Sequence, residues 1–182
     1  MASTPDILTT GTRLVYENRW LRLREDAIRR RDGSTSVYTV IEKANFVVIA
    51  AIEDGRIHLV EQYRYPVGGR YWELPQGAWE EAPDTDPLAL ARAELGEETG
   101  LEADEWIDAG FLYPAYGFAC QGYHVFRAGK LRRGQPRPEP EEQDLVSRDF
   151  SIAELEAMIR DSVIKDATTI AALGLLRLKG LF

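Results

Sequence analysis

Phe46 to Ile52 (FVVIAAI) is a run of seven apolar residues with no polar residue inside it. A strand with one wet face alternates apolar and polar side chains, so an unbroken run of this length reads as a strand buried on both faces. Asp54-Gly55 then supplies a turn, and the following RIHLVEQYRY reads as a second strand. A chain of 182 residues is long enough to bury a single core around such a strand.

The flanking segments are read from period and punctuation. Gly11 to Ala27 alternates loosely, Asp32-Gly33 is a turn signal, and Val37 to Ile41 reads as a returning strand. Residues 1–13 are expected to be a flexible N-terminus. Residues 14–182 form one domain, in which 14–41 make an N-terminal strand pair. A short strand is expected around Trp72 to Leu74 within the turn-rich GGRYWELPQGAWEEAPDTDP. A helix follows from Leu88 to about Thr99, with Asp86 as N-cap, Pro87 at the first helical position and Gly100 as C-terminal cap. Strands are expected over Trp106 to Tyr113, over Gly122 to Ala128 and near Val146, with GKLRRGQPRPEPEEQDL as a polar loop before the last. Two closing helices span Ile152 to Arg160, capped by Ser151, and Asp166 to Leu178. Strands, helix, strands, helices in that order give an α/β fold, a mixed sheet with helices packed on it.

Charge and cysteine usage narrow the function. A formal charge of −8 argues against general attraction to nucleic acid or to an anionic membrane surface, and no stretch is apolar enough for a membrane span. It leaves room for a phosphate-bearing small molecule, because a divalent cation inverts the local field. Cys120 is the single cysteine, so no intrachain disulfide forms, and it reads as a small buried apolar group. The N-terminal MASTPDILTTGTR has no leader pattern, and a cytoplasmic protein with no nucleic-acid or membrane partner is the expectation. His58 and His124 are too few and too isolated for a zinc site and read as structural.

The chemistry concentrates in Ala93 to Gly100 (AELGEETG). On a helix Glu94 and Glu98 stand one turn apart, and Glu97 is three beyond Glu94, beside an apolar stripe of Leu88, Ala91 and Leu95. Like charges at that spacing cost about 0.2–0.5 kcal/mol per pair, and the C-terminal end of a helix dipole adds to the cost. Glutamates facing water are one reading. The other is a compensating cation, with the Pro75-Gln76-Gly77 loop bringing backbone carbonyls to the same carboxylates. Hard oxygen ligands of this kind suit Mg²⁺ or Mn²⁺.

ELPQG followed by AELGEETGL resembles the signature of the Nudix hydrolases, matched here by Gly77, Glu94, Leu95, Glu97, Glu98, Gly100 and Leu101. VEQYRYPVGGRYWELPQG, FLYPAYGFA and IKDATTIAALGLL resemble the surrounding segments of the ADP-ribose pyrophosphatase and nucleotide-sugar diphosphatase branch. The chain departs from the pattern twice. The interval from Gly77 to Glu94 is two residues longer than the standard box, leaving Glu80 and Glu81 as alternatives for its loop glutamate. The arginine expected before the first helical glutamate is replaced by Ala93, with Arg92 one position earlier, a displacement of about 100° around the helix.

The resemblance implies a Nudix-like α/β/α sandwich. It also implies metal-dependent hydrolysis of the diphosphate of ADP-ribose or a nucleoside diphosphate sugar, giving a nucleoside monophosphate and a sugar phosphate. A nucleoside triphosphate pyrophosphatase and a non-catalytic nucleotide-binding module are the alternatives. Glu94 and Glu98 are the implied metal ligands, with the backbone carbonyl of Gln76, and Glu97 is shared between ligation and activation of water. Gly77 lets the loop approach closely, although an ordinary turn glycine fits it equally. The general base falls among Glu139, Glu141 and Glu142, with Glu142 preferred. Arg64 is the candidate phosphate contact, with a salt bridge as its other reading, and Trp20 the candidate base-stacking residue, with a core or interface tryptophan as its other reading. A homodimer formed through the N-terminal strands completes the expectation.

Overall fold

The computed structural model describes residues 5–134 and 144–182. Two sheets are present among them. β1 (Ile7–Glu17), β2 (Arg22–Arg30) and β3 (Thr35–Glu42) form an antiparallel sheet in sequence order. The main sheet is built from β4 (Phe46–Glu53), β5 (Arg56–Arg64), β6 (Gly69–Glu73), β7 (Gln76–Gly77), β8 (Leu101–Leu112), β9 (Tyr123–Arg133) and β10 (Val146–Ser151). Its central order is β10-β5-β4-β9-β8, with β6 on β5 and β7 on β4. β4 and β9 run parallel and the other pairings are antiparallel, so the sheet is mixed.

The apolar run is β4, and its period of two divides the core. Val48, Ala50 and Ile52 face one layer, where Leu155, Ala172, Leu173 and Leu176 pack from α2 (Ile152–Arg160) and α3 (Ala167–Leu178). Val47, Ile49 and Ala51 face the other, against Leu90, Ala91 and Leu95 of α1 (Pro87–Thr99). Each fully buried leucine or isoleucine in these layers contributes about 1.5–3 kcal/mol. Helices on both faces of a mixed sheet make an α/β/α sandwich.

The caps follow local chemistry. Asp86 accepts from the Leu88 N–H, and Pro87 opens α1 without needing a donor. Gly100 closes α1 at φ +68, where its N–H donates to the Gly96 carbonyl over 2.9 Å. Ser151 and Glu154 form a reciprocal capping box on α2. Asp166 caps α3 through the Thr168 and Thr169 N–H groups.

Four expectations change. The N-terminal strand pair is a three-stranded sheet, and β1 begins at Ile7 inside the segment read as flexible; weak alternation hid it because the whole of β1 is exposed. β8 begins at Leu101, directly after the helix cap, since Gly100 reverses the chain. β9 continues through Lys130 to Arg133, residues read as loop. Its polar side chains are exposed on a strand end that pairs with Leu101 to Glu105 and meets Glu102, Asp104 and Glu105 in ion pairs. Cys120 is exposed rather than buried, because it lies in the connection between β8 and β9, where its N–H donates to the Ile41 carbonyl at the rim of the core.

Candidate active site

α1 turns its acidic residues inward unequally. Glu94 and Glu98 are 6% and 3% exposed, whereas Glu97 is partly exposed. Burying two carboxylates one turn apart is costly without compensation, so these side chains are not simply a solvated helix face. They meet the short strand β7, which pairs with β4 through Val48 opposite Gln76 and Val47 opposite Gly77. The Gln76 N–H donates to Glu98 Oε2 over 3.1 Å. A Cβ on Gly77 would lie 2.3 Å from the Glu94 carboxyl carbon and both its oxygens. A side chain on Gly77 would therefore have to displace the buried end of the Glu94 side chain. Arg92 is exposed on α1. Glu80 is partly buried and Glu81 exposed in the loop after β7. Among the described residues, no group of three or more His, Cys, Asp or Glu side chains is gathered closely enough to hold a metal ion.

Gln76 also lines a cleft of about 460 Å³. Arg64, at the end of β5, reaches it and is ion-paired with Glu73 of β6: Arg64 Nε donates to Glu73 Oε2 over 3.2 Å, and Nη2 contacts Oε1. Gln62 Nε2 donates to the same Oε1 over 3.1 Å. Glu73 is 3% exposed, and burial pushes its pKa up from the ordinary value while the Arg64 guanidinium opposes the shift. Tyr71, Lys165 and Asp166 complete the polar lining. Asp166 joins the cleft to the acidic helix, because its Oδ2 accepts from Gln76 Nε2 at 3.4 Å as well as from Thr169. Sequence reading missed Glu73 and Lys165. The isolated carboxylate between Trp72 and Leu74 was a usable signal, since a charge inside an apolar strand needs a partner.

Trp20 lies elsewhere. It sits between β1 and β2, 47% exposed, with the Arg19 guanidinium 4.2 Å above its ring. It lines a separate cleft of about 400 Å³ with Trp79, Glu80 and Glu81, and the two clefts share no lining residue. Within one chain Trp20 and Arg64 are thus not brought together. Glu139, Glu141 and Glu142 lie outside the described residues. His124 packs among Phe111 and Phe126, and His58 is half-buried on β5, where burial lowers its pKa.

Known proteins resemble the chain in sequence and in fold. Residues 42–173 match the NUDIX domain, and residues 7–41 match the nucleoside diphosphate sugar hydrolase N-terminal domain, the boundary falling at the end of β3. The chain is 34% identical to an ADP-ribose pyrophosphatase of Mycobacterium tuberculosis (strain ATCC 25618 / H37Rv), over 91% of this chain and 81% of that protein. It is 29% identical to a methanol dehydrogenase activator of Bacillus methanolicus and 26% identical to an ADP-ribose pyrophosphatase of Bacillus subtilis (strain 168). Each of these alignments covers 94% of this chain and 92% of the relative. A crystal structure of an ADP compounds hydrolase superposes over the full length of both chains with a TM-score of 0.84 at 19% identity, a likeness of fold. With its sandwich, its acidic helix closed by Gly100 and a matching domain over residues 42–173, the chain belongs to the Nudix family, in the branch that holds the ADP-ribose pyrophosphatases.

Proposed function

We propose that the protein is a divalent-metal-dependent diphosphatase that hydrolyses ADP-ribose or a nucleoside diphosphate sugar to a nucleoside monophosphate and a sugar phosphate. The observation that carries this reading is the pair of buried carboxylates, Glu94 and Glu98, packed against the Gln76-Gly77 strand. Their oxygens, with the Gln76 backbone carbonyl, are a donor set for a hard cation such as Mg²⁺ or Mn²⁺, and Gly77 leaves the space that a Cβ would fill. The relatives named ADP-ribose pyrophosphatase and the N-terminal domain match support the substrate class.

A divalent cation bound there would neutralise phosphate charge and ease the loss of the leaving oxygen. The chain's own residues do the positioning. Glu94 and Glu98 are held by α1 and β7, so their carboxylates need little reorganisation when the diphosphate arrives. Arg64 presents its guanidinium to the phosphate oxygens while Glu73 fixes its orientation. Glu97, on the more exposed side of the helix, orients the attacking water. Glu142, preferred over Glu139 and Glu141 as the general base, takes the water proton as the new P–O bond forms and the bridging P–O bond breaks. Trp20 stacks on the base, a role that calls for the N-terminal sheet of a second copy, since Trp20 and Arg64 line different clefts of one chain.

The test is a substrate panel of ADP-ribose, ADP-glucose, GDP-mannose and ATP with product identification, with and without Mg²⁺. Cleavage of a diphosphate sugar that stops in EDTA and in Glu98→Gln supports the reading. Activity that survives both overturns the metal-helix mechanism, and preferential release of pyrophosphate from ATP overturns the substrate assignment.

A further inference from the structure

The cleft beside Gln76 holds, besides Arg64, a second basic residue to which the function above gives no role. Its two basic residues differ in how they are compensated. Arg64 is ion-paired with the buried Glu73. Lys165 is exposed and, among the described residues, forms no ion pair; its described contact is with the ring of Tyr71, 5.4 Å from Nζ to the centroid. The first N–H groups of α3 do not supply positive potential either, since Asp166 already accepts from Thr168 and Thr169. An anion entering the cleft therefore meets Lys165 as the cation not already matched by a carboxylate.

The rest of the lining says which part of a substrate follows that anion. Pro66, Val67 and Ala167 give apolar walls. Tyr71 is the one aromatic side chain among the described lining residues, and the Lys165 ammonium lies over its ring, which leaves no open platform for a nucleobase. Asp166 Oδ1 accepts one described bond, from Thr168 N at 3.2 Å, so it retains capacity for a hydroxyl donor. A volume of about 460 Å³ accommodates a small ligand, and Gln76 connects it directly to Glu98.

We propose that this cleft seats the sugar-phosphate half of the substrate, with Lys165 as the residue that binds its phosphoryl oxygens. The assignment rests on the diphosphatase reading above and makes Lys165 a specificity residue, distinct from the acidic helix that drives cleavage. It acts on the half that leaves as sugar phosphate, and the nucleoside half binds elsewhere.

Direct binding tests it. Ribose 5-phosphate, glucose 1-phosphate and AMP are titrated calorimetrically, in Mg²⁺-containing buffer, into the parent chain, Lys165→Gln and Lys165→Arg. The parent is expected to bind at least one of the two sugar phosphates. Lys165→Gln should weaken that binding about tenfold, the loss of one charge-assisted contact. Lys165→Arg should restore most of it, AMP binding should stay unchanged in both, and thermal melting should be unaltered because Lys165 is exposed. Unchanged sugar-phosphate binding in Lys165→Gln, an equal loss for AMP, or no binding of either sugar phosphate to the parent overturns the proposal. Failure of the underlying reading is separately visible as a parent that hydrolyses no diphosphate in the substrate panel.

Discussion

The Gln76 backbone N–H donates to Glu98 Oε2 over 3.1 Å, so the end of the main sheet and the acidic helix meet at a carboxylate. The same residue's side chain reaches Asp166 at 3.4 Å, where α3 begins. Helices from opposite layers of the sandwich therefore converge on one residue. Small movements of β7 would reach both the buried glutamates and the cleft, which sets the expectations that follow.

Replacing Glu98 with glutamine keeps the shape and an acceptor for Gln76 while removing the charge. Hydrolysis is expected to fall about a hundredfold or more, in line with the loss of one electrostatic group at a reacting centre. Melting in EDTA should stay level or rise, because a buried charge has been removed. The parent's stabilisation by added Mg²⁺ should largely vanish in the variant. A thermal-shift titration alongside steady-state kinetics checks this, and an undiminished Mg²⁺ response would count against Glu98 as a ligand.

Gly77→Ala forces a Cβ into the Glu94 carboxylate, which would otherwise lie 2.3 Å away. Either the loop or Glu94 moves. Overpacking of this kind costs about 1–3 kcal/mol of stability, and a displaced catalytic group about a hundredfold in kcat. Denaturant unfolding and kcat measured together should both respond. A variant that matches the parent in both would show that the loop has slack.

Glu73 links stability to pH. Burial raises its folded-state pKa above the ordinary glutamate value of 4.5, so between that value and the folded one the native protein holds a proton that the unfolded chain releases. The carboxyl therefore contributes less to stability as pH rises through this window, and the deficit persists above it. Relative to Glu73→Gln, the parent should lose stability as pH rises from 4.5. Parallel melts of both proteins report the difference, since other groups largely cancel. A difference that grows in the parent's favour would mean that Arg64 attraction outweighs burial.

The N-terminal sheet leaves Ile7, Leu8, Leu14, Val15, Tyr16, Val37 and Tyr38 exposed. Consecutive strand residues point to opposite faces, so both faces of this sheet carry exposed apolar side chains, and a second copy of the chain is the expected occupant. Sedimentation should give a particle of twice 20.6 kDa. Leu14→Glu combined with Val37→Glu should shift it toward monomer and lower activity if Trp20 serves the partner's site. A monomeric, fully active parent would remove the interface.

Much of this was legible along the chain because it depends on neighbours. The unbroken FVVIAAI run becomes β4 with both faces covered, and Asp86, Pro87 and Gly100 bound α1, because capping and side-chain period act within a few residues. The acidic spacing and the family followed from the same stretch. Tertiary structure decided what depends on distant partners: that Glu94 and Glu98 are buried while Glu97 is partly exposed, that β9 extends to Arg133 on β8, and that Cys120 lies at the surface. Arg64 meets Glu73 across adjacent strands, and Lys165 reaches Tyr71 from the start of α3. Local sequence sets the period of a helix or strand, but only the packed sheet determines which side of it is denied water.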